Sequence, residues 1–266
     1  MAFNVAATAR WLDRVDRNRA TVGWWPKPHM PADERTAYRV QDAFLKKVIP
    51  RQGKVVGYKI GLTAPAIWEQ TGLRSPAYGP IRAKRVFTGG KHTVRADRWT
   101  RLGVELEIVL TVGADLPRKT AKPWDRESIA DYVGGAQAGF ELIEDRGADY
   151  SRLTAFALIM DLGWNGGSLL AKPPRDWRKV DLGALEGSIA FDGEVVARGK
   201  SSDVLGHCYN SLAWLANKLA EHGKPLKAGT IVSSGSMVAC QFVPAGSTAV
   251  GRIEGLGEVT LEHALK

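Results

Sequence analysis

Two glutamates, Glu105 and Glu107, lie two residues apart in the apolar run GVELEIVL at residues 103–110. On an extended strand, residues i and i+2 point to the same face, with their Cβ atoms roughly 7 Å apart. Burying two like charges together is costly unless one is protonated or a cation lies between them. The spacing therefore indicates either a divalent-metal site, since Mg²⁺ binds carboxylate oxygens, or the solvated polar face of an edge strand.

A third acidic residue favours the metal site. Glu141 follows an apolar stretch in GFELIEDR and is a candidate for an inward-facing side chain. Glu144 and Asp145 precede an arginine and are interpreted as surface charges. Asp161, in LIMDLGWNGG, lies between a hydrophobic run and a glycine-rich turn. It is interpreted either as a carboxylate that supports the site or as a simple turn former.

Lys59 is the basic counterpart of these carboxylates. It lies in VVGYKIGLT, among apolar residues and between Gly57 and Gly61. It can neutralise a substrate carboxylate, or transfer a proton if its pKa is lowered, and the alternative is a surface lysine with a buried stem. The two glycines favour the functional interpretation because they suggest close approach of the backbone. The SSG turn at 233–235 offers further hydroxyl and N–H donors, although such turns are common.

These residues need elements that position them. Helical spacing and capping residues predict helices at 3–20, 33–48, 64–71, 126–138 and 203–222, the last capped by Ser202 or Asp203 and ended by Gly223. Strand patterns dominate from about residue 85: KHTVRA, VELEIVLTVG, GSIAFDGEVVARG with a hairpin turn at FDGE, GTIVSSGS and AVGRIEGLGEVTLEHA. Together they predict an α+β fold with a mainly antiparallel or mixed sheet, preceded by a helical N-terminal region.

Composition limits the classes of protein. The 266 residues suit one large domain or two small ones. The net charge of +9 would suit nucleic acid or anionic small molecules, but the basic residues are scattered and form no nucleic-acid motif. There is no apolar leader and no apolar run of membrane-spanning length, and the two cysteines lack a metal-type spacing. The expectation is a soluble, cytoplasmic protein.

Several motifs in order carry a family resemblance: GYKIGLT, the ELE pair, FELIEDR, RGKSSDVLGHCYNSLAWLANKLAEHGKPLKAGTIVSSG and the closing IEGLGEV. They resemble the 2-keto-4-pentenoate hydratase and 4-oxalocrotonate decarboxylase family, within the fumarylacetoacetate hydrolase superfamily, from about residue 35 onward. The resemblance implies a mixed β-sandwich or β-roll catalytic domain at 55–266 and a smaller helical region at 1–54. It also implies a homo-oligomer, and leaves room for a related hydratase or decarboxylase subunit as partner.

The resemblance also implies roles for individual residues. Glu105, Glu107 and Glu141 match the ligands of a Mg²⁺ or Mn²⁺ ion, Lys59 matches the active-site lysine, and Asp161 is assigned a further catalytic role. The implied substrate-binding residues are Lys59, Tyr78, Leu162, Ser234 and Gly235.

The implied chemistry is that of a metal-dependent lyase acting on 2-oxo or 2-hydroxydienoic acids from the meta-cleavage of aromatic rings. Hydration of a 2-keto-4-pentenoate-type substrate is the first expectation. The alternatives are a 4-oxalocrotonate-type decarboxylase, an acylpyruvate C–C hydrolase and a non-catalytic partner subunit. The hydrolase would need a general base, often a His–Glu pair, and none of the five histidines lies in such a motif.

Two positions depart from the family pattern. A loop that commonly reads Pro-Asp-Tyr/Phe-Gly reads PAYG at 76–79, and an Asp-Asn pair before the glycine-rich turn reads Asp-Leu. An acidic side chain and an amide are thus replaced by Ala77 and Leu162. The specificity of this chain is therefore expected to depend on these two positions.

Overall fold

The computed structural model describes residues 3–64, 68, 71–117 and 122–266. The α-helices in this part are α1 (Val5–Asn18), α2 (Glu34–Gln52), α3 (Arg126–Ala130), α4 (Ala155–Met160) and α5 (Cys208–Glu221). Helices α1 and α2 begin at polar caps: the side chain of Asn4 accepts from the Ala7 N–H, and that of Asp33 accepts from the Thr36 N–H. None of these helices is both long enough and apolar enough to span a bilayer.

Thirteen strands form two sheets in the described part of the chain. They are β1 (Val55–Gly61), β2 (Ala77–Arg82), β3 (Val86–Phe87), β4 (Lys91–Arg95), β5 (Leu102–Val112), β6 (Val133–Glu144), β7 (Asn165–Leu170), β8 (Glu186–Phe191), β9 (Glu194–Lys200), β10 (Ile231–Ser236), β11 (Gln241–Phe242), β12 (Thr248–Ile253) and β13 (Gly257–Ala264). The larger sheet has the order β2-β1-β10-β5-β6-β7-β3, with β11 paired to β5. The smaller has the order β4-β13-β12-β8-β9.

Glycines on the smaller sheet allow the two sheets to pack closely. A Cβ on Gly251 of β12 would lie 2.4 Å from the ring of Phe140, and one on Gly187 of β8 would lie 2.9 Å from Leu106. Phe140 and Leu106 are fully buried on β6 and β5. They alternate along their strands with Glu141 and with the glutamate pair, so the carboxylates point to the opposite face of the larger sheet. The core between the sheets thus fixes the site's orientation.

The fold class is confirmed: the chain is α+β, with two sheets and a smaller helical N-terminal region. The predicted helices at 3–20 and 33–48 are confirmed as α1 and α2, and α2 continues to Gln52. The hairpin at FDGE is also confirmed, with positive φ at Asp192 and Gly193 as a two-residue turn of this type requires. The helix expected at 64–71 lies largely outside the described residues.

Two helix boundaries were predicted wrongly. The helix expected at 126–138 ends at Ala130, and strand β6 takes over from Val133, because its apolar residues are buried between two neighbouring strands. Periodicity does not separate a helix from a fully buried strand in such a run. Helix α5 begins at Cys208 rather than 203, since positive φ angles at Leu205 and Gly206 interrupt the chain and His207 provides the cap.

The N-terminal helices share the core of the sheets. The amide of Gln41 on α2 donates to the carbonyls of Tyr78 (3.0 Å) and Ile159 (2.8 Å), and Tyr38 stacks on Tyr78 with ring centroids 4.5 Å apart. These contacts cross the proposed boundary between residues 54 and 55. The division into regions 1–54 and 55–266 stays a prediction.

Candidate active site

Three glutamates meet on one face of the larger sheet. Strands β5 and β6 are antiparallel neighbours, and Glu105 lies opposite Glu141 in their register. Glu107 follows two residues later on the same face and lies opposite Gly139. Each glutamate offers a carboxylate oxygen within 4.8 Å of those of the other two. The strand pairing therefore brings together residues 36 positions apart in the sequence.

Two of the three carboxylates are each held by a protein donor through one oxygen. The Gly235 N–H donates to Oε2 of Glu107 (2.9 Å), and the Asn165 amide donates to Oε1 of Glu141 (3.0 Å). Both glutamates are fully buried, and the second oxygens, Oε1 of Glu107 and Oε2 of Glu141, have no hydrogen-bond partner among the described residues. Buried carboxylate oxygens without donors fit the coordination of a hard divalent cation.

Lys59 of β1 lies beside this triad of glutamates. Its Nζ is 3.2 Å from Oε2 of Glu141, near enough for an ion pair but outside hydrogen-bond geometry, and its side chain is 3% exposed. A Cβ on Gly61 would lie 3.0 Å from the same Nζ. The glycine two residues along the strand thus leaves room for the lysine, as its position in the sequence suggested.

Burial and mutual repulsion perturb the charges of the site. Burial raises the pKa of Glu105 to about 7, and burial together with Glu141 and Glu105 raises the pKa of Glu107 well above its usual range. Burial by itself would lower the pKa of Lys59, but the adjacent glutamates outweigh it and raise that pKa. A lowered lysine pKa is therefore not found, and Lys59 stands as an ammonium whose single positive charge lies beside three glutamates.

The other residues predicted to bind substrate have different positions. Gly235 lies at the triad through its N–H. The hydroxyl of Ser234 donates to the Ile108 carbonyl (2.8 Å) and is not free. The ring of Tyr78 packs on Tyr38, and its hydroxyl bonds His222 (2.7 Å). Tyr78 therefore points toward α2 and the end of α5 rather than toward the glutamates.

Asp161 and Leu162 are also apart from the triad. Both carboxylate oxygens of the buried Asp161 accept from the guanidinium of Arg146, at 2.7 and 3.0 Å. Asp161 and Leu162 line a separate basic cavity, and their catalytic and substrate-binding roles stay predictions. Asp145 was expected at the surface, but it is fully buried and accepts from Arg101. Sequence reasoning missed these long-range ion pairs because local spacing carries no information about them.

A cavity of about 620 Å³ opens at the triad. Its polar end includes Lys59 and Glu105, and its walls are mainly apolar and aromatic: Ile143, Tyr150, Leu153, Leu158, Trp164, Met237 and Phe242. Most of these wall residues were not predicted from the sequence, because they come from loops, strand ends and helix α4. Asn165 was also missed, although an amide directly after an apolar run in WNGG is a signal that could have identified it.

Fold and site together define the class of this chain: the fumarylacetoacetate hydrolase fold, with three carboxylates able to hold a divalent metal. The chain belongs to the fumarylacetoacetate hydrolase family, because the family model described as Fumarylacetoacetate (FAA) hydrolase C-terminal matches residues 73–262.

Similar proteins span nearly the whole chain. A 2-keto-4-pentenoate hydratase of Burkholderia vietnamiensis is 34% identical over 259 residues, covering 96% of both chains. A 4-oxalocrotonate decarboxylase of Pseudomonas putida is 30% identical over 225 residues, covering 84% of this chain and 83% of the relative. The solved 4-oxalocrotonate decarboxylase from Pseudomonas putida G7, complexed with magnesium and adipate, matches with a TM-score of 0.88 and 26% identity over 97% of both chains.

Proposed function

We propose that this chain is a divalent-metal-dependent lyase acting on a 2-oxo or 2-hydroxydienoic acid, with hydration of a 2-keto-4-pentenoate-type substrate as the primary assignment. The observation that carries the proposal is the triad, in which two buried carboxylate oxygens lack hydrogen-bond partners among the described residues. The relatives named as hydratases and decarboxylases support the substrate class.

Glu105, Glu107 and Glu141 would hold Mg²⁺ or Mn²⁺. When bound, such an ion supplies Lewis-acid stabilisation of the negative charge that develops on a substrate's 2-oxygen. Asn165 and the Gly235 N–H orient two of the carboxylates by occupying one oxygen of each. These donors keep the remaining oxygens directed at a common point.

Lys59 would bind the carboxylate of the substrate. Its ammonium lies beside Glu141 and at the polar end of the cavity, so it can donate a hydrogen bond to a substrate carboxylate. Proton transfer by Lys59 would need a lowered pKa, whereas the adjacent glutamates raise it, so carboxylate binding is the role assigned to this residue. The apolar walls restrict water around the rest of the substrate.

The cavity favours a substrate whose distal end is uncharged. Within the described lining, Lys59 is the single cation. Arg101 is nearby, with its Cζ 4.2 Å from the centroid of the Phe242 ring, but its guanidinium is already paired with Asp145. A 4-oxalocrotonate-type acid would bring a second carboxylate, and burying it without a partner is unfavourable. Hydration is therefore placed before decarboxylation.

A hydrolase is the weaker alternative. The structure describes all five histidines, and none of them lines the cavity. His207 caps α5, and His222 bonds Tyr78. A His–Glu pair that could activate water is thus lacking in the described lining, and acylpyruvates are expected not to react.

Turnover tests the proposal directly. Metal-stripped protein is supplied with Mg²⁺ or Mn²⁺ and 2-hydroxypenta-2,4-dienoate, and the loss of dienol absorbance is followed with product analysis. We expect metal-dependent hydration and little CO₂ release from the dicarboxylate analogue. If the dicarboxylate analogue were decarboxylated faster than the dienoate is hydrated, decarboxylation would be the primary activity. Metal binding without turnover of any 2-oxoenoate would contradict the proposal and favour a non-catalytic subunit.

Assembly and location complete the proposal. A homo-oligomer, alone or with a related hydratase or decarboxylase subunit, is expected from the family resemblance, and light scattering of the purified chain measures it. Both cysteines, Cys208 and Cys240, are free, which supports a reducing, cytoplasmic location.

A further inference from the structure

A second cavity, of about 520 Å³, lies on the far side of the active-site wall. Trp164 lines both cavities. Eight cationic side chains but only three carboxylates line the second one, which we term the arginine cavity. Four of its cations form no ion pair with any described carboxylate: Arg19, Arg82, Lys84 and Arg85.

The carboxylates of the arginine cavity are already engaged. Asp16 pairs with Arg51 (2.5 Å) and Arg146 (3.2 Å), and Asp161 pairs with Arg146. Glu144 accepts from the backbone N–H groups of Thr100 and Arg146. No carboxylate of the described lining therefore lies within ion-pair distance of the four other cations.

Arg82 is a buried charge held by neutral groups. Its guanidinium is 3% exposed and donates to the side chain of Gln52, the Pro80 carbonyl, and the side chain and carbonyl of Asn165. These bonds use four of its five N–H donors and leave one on Nη2. A buried cation without a counter-ion is unfavourable, so this site favours an incoming anion.

Arg85 provides a free guanidinium next to Arg82. It is half-buried and forms no hydrogen bond or ion pair with the residues that the structure describes. Burial lowers the pKa of Arg85 even though Asp16 and Glu144 oppose this effect. The guanidinium is therefore partly desolvated and only partly compensated by these carboxylates, a condition that favours binding of an oxyanion.

We propose that the arginine cavity binds a small oxyanion with two or more negative charges, through Arg85 and the remaining N–H of Arg82. The excess of cations raises the local concentration of such anions, and the volume suits a molecule larger than a single oxyanion. Phosphates and polycarboxylates share this chemistry. Arg82 is joined to Glu141 by two hydrogen bonds through Asn165, at 2.9 and 3.0 Å, so the anion would bind close behind the metal triad.

Calorimetry on the metal-free full chain tests the proposal independently of turnover. Metal is removed on a chelating resin, and inorganic phosphate, citrate and acetate are titrated separately at matched, low ionic strength. We expect one saturable site for phosphate or citrate, and at least about tenfold weaker binding of the monoanion acetate. The two polyanions distinguish a phosphate ligand from a carboxylate ligand.

Matched variants locate the site. Arg85→Gln is expected to weaken polyanion binding at least about tenfold, and Arg19→Gln provides a second test should Arg85→Gln fail to fold. Arg175→Gln, an exposed arginine outside the cavity, and Lys59→Met, at the metal triad, are expected to bind as the wild type does. The proposal is overturned by an absence of saturable binding, by unchanged affinity in both cavity variants, or by loss of binding in Lys59→Met.

Discussion

Individual carboxylates explain why two like charges lie side by side on β5. Glu105 and Glu107 face Glu141 across the strand pair, and one oxygen of each fully buried glutamate is left without a donor among the described residues. Lys59 supplies one positive charge beside these three carboxylates, so a further cation at the triad is favourable. The sequence predicted the same-face pair from spacing, but Glu141 depended on the register of β5 and β6, which only the fold determines.

Asn165 is expected to position Glu141 for the metal. Asn165→Ala removes the donor to Glu141 and one acceptor of Arg82, while the backbone carbonyl that accepts from Arg82 is kept. We expect metal affinity to fall about 10- to 100-fold and stability to fall by about 1–3 kcal/mol. Calorimetric metal titration and urea unfolding measure the two effects. Asn217→Ala, which loses two hydrogen bonds to the backbone of Trp124 away from the site, should reduce stability alone. Equal metal affinities in both variants would refute this role.

Lys59 is expected to act on substrate rather than to hold the metal. Lys59→Met removes a cation 3.2 Å from Glu141, so less positive charge opposes the incoming ion. We expect metal affinity to be kept or increased, while turnover falls by at least about 100-fold. Exposed Lys172→Met serves as the control for both measurements. A variant that loses metal binding together with activity would instead make Lys59 part of the triad's support.

Strands position these residues through close backbone contacts. The sequence predicted only some of these contacts. Gly57 and Gly61 indicated close packing around Lys59, and the structure explains each one: Gly57 lies against β10, and Gly61 leaves space for the lysine. The strand-helix ambiguity at 126–138 was not resolved because a doubly buried strand lacks alternation. The ion pair of Asp161 with Arg146 was not predicted, because Arg146 follows strand β6 whereas Asp161 ends helix α4.

Gly57 is expected to be essential for the pairing of β1 with β10. A Cβ there would lie 2.3 Å from the Ile231 carbonyl oxygen, so the strands must separate. Gly57→Ala should lower the free energy of unfolding by about 1–3 kcal/mol. Gly135→Ala on β6, where the nearest atom would be at an ordinary 3.5 Å, should be tolerated. Denaturant unfolding of both proteins makes the comparison, and equal losses would show that this contact relaxes freely.

At the scale of the whole molecule, two packed sheets carry an active site in which three glutamates face a single lysine. The α+β class and the family resemblance were predictable from ordered motifs spread along the chain, because those motifs reflect the whole fold. The two separate cavities were not predictable, because each is lined by residues from several strands and loops. Ala77 and Leu162, where specificity was expected, are not among the described residues that line the active-site cavity, and their part in specificity stays a prediction.

Global stability is expected to depend on the divalent ion. An ion that binds only the folded chain stabilises it by about 2.7 kcal/mol at a concentration 100-fold above Kd. For a chain of this size, that corresponds to an increase in Tm of roughly 5–10 °C. Differential scanning calorimetry of metal-stripped protein with and without Mn²⁺ measures the shift. A Tm independent of Mn²⁺ would mean that the ion binds the folded state weakly or not at all.

The most direct test of the metal site is a calorimetric titration of Mn²⁺ into metal-stripped wild type, Glu107→Gln and the exposed control Glu194→Gln. The substituted amide can still accept from Gly235, so the fold should persist while the charge is lost. We predict one ion per chain in the wild type and in Glu194→Gln. In Glu107→Gln we predict at least about 100-fold weaker binding with an unchanged metal-free Tm. An unchanged Mn²⁺ affinity in Glu107→Gln would contradict the account.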